Sequence, residues 1–244
     1  MQKLKKIIKR FVPARLRAFL NSLSERKYER EYRQRPIENV FSKIFESNRW
    51  RSGESISGPG SELDVTRHIS QEIPKLIAEF SVQTFLDVPC GDFNWMKTVD
   101  LSGCQYIGGD IVPQLIEQNQ KIYGDSHRRF LHIDLTKGPL PFADMLLCRD
   151  CFIHLSFQHL RDALASIRSA GIRYLLTTTY PEIVRNDDIV TGLHRPINLC
   201  LPPFNFPSPV RLIIERPHAS PTEWDRNKSL GLWPVSQLPD FIVS

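Results

Sequence analysis

The chain has 244 residues, 41% of them hydrophobic and 24% charged, the balance of an ordinary soluble globular protein rather than a disordered, collagenous or coiled-coil one. Five cysteines, at 90, 104, 148, 151 and 200, form no disulfide framework and favour a reducing compartment, the cytoplasm. The net charge of +5 is unevenly spread: residues 1–35 carry 12 Lys/Arg against Glu25, Glu29 and Glu31, and the remainder is mildly acidic, so no nucleic-acid partner is expected for the body.

Residues 1–35 read as a basic amphipathic helical arm. Leu4, Ile8, Phe11, Leu16, Phe19, Leu20 and Leu23 recur at helical steps, with Lys and Arg at most positions between them. The apolar stripe is too short and too interrupted by charge for a transmembrane span or an export signal. Such an arm suits either docking on the body or an anionic membrane surface, where each Lys or Arg contributes on the order of 1 kcal/mol. Peripheral attachment to the inner face of the cell membrane is the expectation, with Pro13 kinking or restarting the helix.

Residues 36–80 form a helical lead-in. A short helix is predicted over 36–46, a polar glycine-bearing loop over 48–64, and an amphipathic helix up to Phe80. From 81 to 244 apolar runs at 82–88, 105–109, 129–133, 143–148 and 174–179 alternate with amphipathic stretches at 113–123 and 156–170, and a helix is also expected after the first run. This alternation predicts an α/β fold, a mostly parallel sheet with helices on both faces. Six prolines within 181–209 exclude a regular crossover helix there. Runs at 210–215 and 229–235 then predict a C-terminal antiparallel hairpin at the sheet edge.

Ligands of such sheets bind at the carboxyl ends of the strands. Read there, the sequence gives Asp87 before Pro-Cys-Gly, then Asp110, then Asp134, then Cys148-Arg149-Asp150. One glycine, Gly91, follows the first strand where a dinucleotide turn needs three, and an acid beside a diphosphate would repel it. A ligand with a cationic amino-acid end and no phosphate fits better. Asp87 suits that end, Asp110 a ribose diol, and Asp134 an adenine amino group, with Ile111 and Leu135 against the purine faces. S-adenosylmethionine has this chemistry.

The stretch from Trp50 to Leu238 resembles the class I S-adenosylmethionine-dependent methyltransferases. FLDVPCGDFNW resembles their glycine motif, YIGGDI the acidic second motif and ADMLLCRDCFIHLS the fourth-strand motif. WRSGESISGPGS upstream and TGLHRPINLCLPPF downstream resemble a bacterial group with SGxGS and TGxxRxINLxxPPF segments, found with surface-polysaccharide and lipid-linked sugar pathways. The resemblance implies a Rossmann-like, seven-stranded sheet. It implies that Asp87, Cys90 and Gly91 hold the methionine end, Asp110 the ribose and Asp134 the adenine, with Trp50, Ile111, Leu135, Arg149 and Asp150 completing the cofactor site. The glycine motif departs from the usual GxGxG, which also admits an inactive adaptor on the same fold. The implied acceptor is an oxygen or nitrogen of a small molecule, carbohydrate or glycolipid, held by the loops 48–64 and 181–209.

Two further patterns are weighed. Cys148 and Cys151 form CxxC near His154, but no second pair supplies a zinc site, and no metal is expected. Leu201-Pro202-Pro203-Phe204 lacks the Asp or Asn that precedes the prolines of nucleobase amino-methyltransferases. For the proton acceptor, His154, Asp150 and Tyr180 are the candidates by type, with His159 and His194 behind them.

Overall fold

In this computed structural model, residues 26–220, 225 and 227–240 are described; the apolar stripe of the arm lies outside them. After a short helical stretch at 26–32, the elements in chain order are α1 (Ile37–Glu46), α2 (Leu63–Glu79), β1 (Thr84–Asp87), β2 (Gln105–Asp110), α3 (Pro113–Tyr123), β3 (Arg128–His132), β4 (Met145–Cys148), α4 (Phe157–Ser169), β5 (Tyr174–Thr179), β6 (Arg211–Ile214) and β7 (Ser229–Pro234). Local chemistry sets several boundaries. Pro113 opens α3, where its missing N–H is no loss. Ser156 caps α4 by accepting from His159 N at 3.2 Å.

The strands form one sheet in the order β3-β2-β1-β4-β5-β7-β6. All pairs are parallel except those of β7, which lies antiparallel between β5 and β6. The expected Rossmann-like architecture, mostly parallel with a C-terminal antiparallel pair, is the one observed. β4 is buried at all four residues, Met145 to Cys148, because both faces of a central parallel strand are covered. Alternation along β1 divides the core: Leu86 packs with α4 and Ile197, Leu199, Phe204 and Phe206, while Phe85 packs with α2, α3 and the segment around Phe93. Each fully buried Leu or Phe contributes about 1.5–3 kcal/mol.

Two segments differ from expectation. The helix predicted after β1 does not form; the chain turns through a single 3₁₀ turn, Met96–Thr98. Phe93 has φ +56°, which a right-handed helix cannot accommodate, and its ring is locked against Tyr106, Tyr123 and Phe130. The proline-rich 181–209 segment contains no helix, as expected. Its buried apolar residues nevertheless cover one sheet face, the work a crossover helix does elsewhere. Residues 26–35, read with the arm, pack on the body: Tyr32 is buried with Val40 and Ile44, and Arg49 donates to its hydroxyl at 3.2 Å. Among the described residues no helix is long and apolar enough to cross a membrane.

Candidate active site

A cavity of about 550 Å³ opens at the carboxyl ends of the central strands, within the range of small-molecule sites. It lies where the chain reverses direction across the sheet, with β2 on one side of β1 and β4 on the other. The structure brings Trp50, Asp87, Cys90, Gly91, Asp110, Ile111, Asp134, Leu135, Arg149, Asp150 and His154 together on its wall. Tyr180 is not on that wall.

The turn after β1 forms one end. Asp87 is 3% exposed and accepts from the Tyr106 hydroxyl at 2.8 Å. Burial pushes its pKa up to about 7; the Tyr106 hydrogen bond opposes this and the neighbouring Asp110 adds to it. Asp110 accepts from Gly91 N and Val112 N, both at 3.0 Å. Burial raises it to about 6 despite those two donors. Cys90 is buried and its thiol is pushed well up by burial, so it packs rather than reacts. Asp134 accepts from Thr136 N and Oγ1 and pairs with Lys137 at 3.1 Å. Burial opposes its ionisation, but these partners hold its pKa below the usual range.

The 48–64 loop is clamped onto this turn. Asp92 accepts from Ser55 Oγ at 2.9 Å, Ile56 N at 2.9 Å and Ser57 Oγ at 3.1 Å, and Asp92 N donates back to Ser57 Oγ at 3.0 Å. Gly91 is required beneath it. Its φ is +55°, and a Cβ there would lie 2.1 Å from Ser57 Oγ. Trp50 reaches the wall from the same loop and lies 5.4 Å from the His154 ring, centroid to centroid.

Arg149 belongs to a buried ion cluster. It donates to Glu215 at 2.6 and 3.1 Å and to the Gly60 carbonyl at 2.8 Å. Lys228 contacts Asp150 at 2.5 Å and Glu215 at 3.2 Å. Two cations thus meet two carboxylates, the condition under which buried charges are tolerated. Burial opposes ionisation of Asp150, but Arg149 and Lys228 outweigh it and hold its pKa far below the ordinary range. Asp150 is thus held as a carboxylate between two cations.

Tyr180, the other non-histidine candidate by type, stands off the cavity wall. It is 4% exposed, its hydroxyl has no hydrogen-bond partner among the described residues, and burial with Asp150 and Glu215 nearby raises its pKa. His154 lies on the cavity wall. Its Nδ1 lies 2.7 Å from the Leu193 carbonyl, which can only accept, so Nδ1 carries the proton and Nε2 keeps its lone pair. Burial, reinforced by His194, lowers its pKa to about 4. His159 is off the wall, its Nδ1 2.7 Å from Thr191 Oγ1. Of the 181–209 segment only His194 lines the cavity among the described residues; the segment's buried apolar residues pack into the core instead. Phe41 and Phe45 of α1 line the cavity, with Arg216, Asp225 and Lys228.

Sheet order defines a Rossmann-like fold, and a cavity stands at its strand ends. No family model and no curated protein matches the chain. Solved structures do. A 1,6-didemethyltoxoflavin N1-methyltransferase from Burkholderia thailandensis, crystallised with 1,6-didemethyltoxoflavin and S-adenosylhomocysteine, is 14% identical with a TM-score of 0.55, covering 80% of this chain and 85% of that one. The N-methyltransferase NodS from Bradyrhizobium japonicum WM9 is 12% identical with a TM-score of 0.52, over 70% of this chain and 96% of that one.

Proposed function

We propose that the chain is an S-adenosylmethionine-dependent methyltransferase acting on an oxygen or nitrogen of a small acceptor. The observation that carries this reading is the convergence of three strand-end carboxylates, Asp87, Asp110 and Asp134, with Ile111 and Leu135 on one cavity above the Gly91 turn. The donor set fits the cofactor: buried acids for a cationic amino-acid end and a ribose, apolar side chains for a purine, and a glycine that lets the 48–64 loop close on the turn after β1. Asp87, Cys90 and Gly91 would hold the methionine end, Asp110 the ribose and Asp134 the adenine, with Trp50 and Arg149 closing the site. When bound, S-adenosylmethionine supplies a methyl group already activated by a sulfonium sulfur. Alignment of the acceptor then provides most of the acceleration.

On the same wall, Trp50, Phe41 and Phe45 offer apolar surface for a ring. The charges there are matched: Arg149 and Lys228 with Asp150 and Glu215, and Arg216 with Asp225 at 3.1 Å. An ionised phosphate or carboxylate would have to displace one of these pairs, so the site favours an uncharged acceptor, an aromatic ring or a sugar hydroxyl. His154 Nε2 would take the acceptor proton, while the methyl carbon would exchange its bond to the sulfonium sulfur for one to the acceptor, leaving S-adenosylhomocysteine. The basic arm would hold the enzyme against an anionic leaflet. The test is transfer of label from methyl-tritiated S-adenosylmethionine into fractionated sugar, glycolipid and aromatic extracts. Label entering a fraction with the wild type, and at least 100-fold more slowly with His154→Gln, supports the reading; no transfer into any fraction opposes it.

A further inference from the structure

We propose that the segment 191–195 is a bracket that fixes the orientation of His154, with Arg195 its principal positioning residue. This rests on the proposed role of His154 for its catalytic meaning, while the bracket itself is a matter of geometry. The four consecutive carbonyls of the turn bearing His154 all accept from this segment. Arg195 donates through its guanidinium to Phe152 O at 2.7 Å and Leu155 O at 3.0 Å, and through its main-chain N to Ile153 O at 3.0 Å. Gly192 N donates to His154 O at 2.8 Å. Thr191 Oγ1 accepts from Ser156 N at 2.9 Å, just past the turn. The side chain is held by the same segment, since Nδ1 donates to Leu193 O.

Arg195 is 6% exposed and makes no ion pair among the described residues. Its remaining guanidinium hydrogen bond goes to another carbonyl, Asp187 O at 3.0 Å, and its plane lies over the Phe157 ring at 5.4 Å. A buried guanidinium whose hydrogen bonds all go to carbonyls uses its planar fork to fix backbone, and a lysine ammonium cannot span the same acceptors. The bracket is pressed from behind. Gly192 has φ +94°, and a Cβ there would lie 2.5 Å from Val40 of α1 and 2.9 Å from the Tyr32 ring. Arg49 also donates to Gly192 O at 2.9 Å. The TGLHRPINL stretch thus gains a role its spacing did not disclose. It selects the Nδ1–H tautomer of His154, the minor form of a free neutral imidazole, and leaves Nε2 as acceptor. The titratable and charged groups facing the ring are Asp150 after β4, and His194 and Arg195 of the segment; Trp50 covers it.

The test needs no acceptor. In protein carrying ¹⁵N-labelled histidine, with His154 assigned through His154→Gln, two-bond proton–nitrogen correlation spectra report the tautomer and titration of the ring. The wild type should show His154 as Nδ1–H and neutral from pH 5 to 8. In Arg195→Gln and Arg195→Lys, each checked as folded and able to bind S-adenosylhomocysteine, the Nε2–H form should become the majority and the titration midpoint rise by at least one pH unit. A role confined to stability would leave both readings unchanged. An Nε2–H ring in the wild type overturns the proposal without any variant, as do unaltered His154 signals in folded Arg195→Lys. Retained methyl transfer in His154→Gln would instead sink the proton-acceptor reading and leave the tautomer results standing.

Discussion

Asp87→Asn isolates what it costs the ligand-free protein to hold a carboxylate at the end of β1. Asp87 is 3% exposed, and burial pushes its pKa from the ordinary carboxylate range up to about 7, against the Tyr106 hydrogen bond and with Asp110 adding to it. A displacement of about three pH units corresponds to about 4 kcal/mol. The folded pKa lies above the unfolded one, so from pH 4 to 7 the native state binds more protons. Stability therefore falls as pH rises through that window, by about 1.4 kcal/mol per pH unit, and levels off above pH 7. Asparagine cannot ionise but keeps an oxygen for the Tyr106 hydroxyl. The variant should gain on the wild type across the window, reaching an advantage of about 4 kcal/mol at pH 8 as an upper bound. Asp110, raised to about 6, is present in both proteins and largely cancels. Urea unfolding of both at pH 5, 6, 7 and 8 measures the difference. Parallel profiles, or a wild type that gains on the variant as pH rises, would refute the reasoning.

Glu215→Ala leaves Arg149 and Lys228 with Asp150 as their remaining carboxylate, and should lower the unfolding free energy by about 3–5 kcal/mol, read from denaturant midpoints. Gly91→Ala should abolish S-adenosylhomocysteine binding because its Cβ meets Ser57 Oγ at 2.1 Å. Adding Ser57→Gly should restore part of it, leaving about 1–2 kcal/mol for the left-handed alanine; a double variant no better than the single one would place the fault elsewhere. Removal of residues 1–25 should leave cofactor affinity unchanged and abolish co-sedimentation with anionic vesicles. A truncated protein that still sediments would remove the arm from that role.

Periodicity alone located α3 and β5 to the residue, and the acids at the ends of β1, β2 and β3 followed from where strands stop. Both rest on local signals, helical spacing and apolar runs, that survive without tertiary context. The turn after β1 was misread because what forbids a helix there is long-range: Phe93 is seated among rings of α3, β2 and β3, and Asp92 is committed to a loop more than 30 residues earlier. The ion cluster was illegible for the same reason. Arg149 meets Glu215 and Lys228 only because β7 enters antiparallel beside β5 and brings the β6–β7 hairpin to the cavity. The surroundings of His154, Asp150 and Tyr180 were likewise illegible. All three are plausible by type; the Leu193 carbonyl stands by His154, the Lys228 ammonium by Asp150, and the Tyr180 hydroxyl has no hydrogen-bond partner among the described residues.

The central claim is that the strand-end carboxylates form a site for S-adenosylmethionine, and calorimetric titration with S-adenosylhomocysteine, beside NAD, tests it most directly. The account predicts micromolar binding of the former alone, weakened by about 1–3 kcal/mol in Asp110→Ala as the charged hydrogen bonds to the ribose are lost. Absence of heat with S-adenosylhomocysteine from a folded sample, or an affinity untouched by Asp110→Ala, would contradict it.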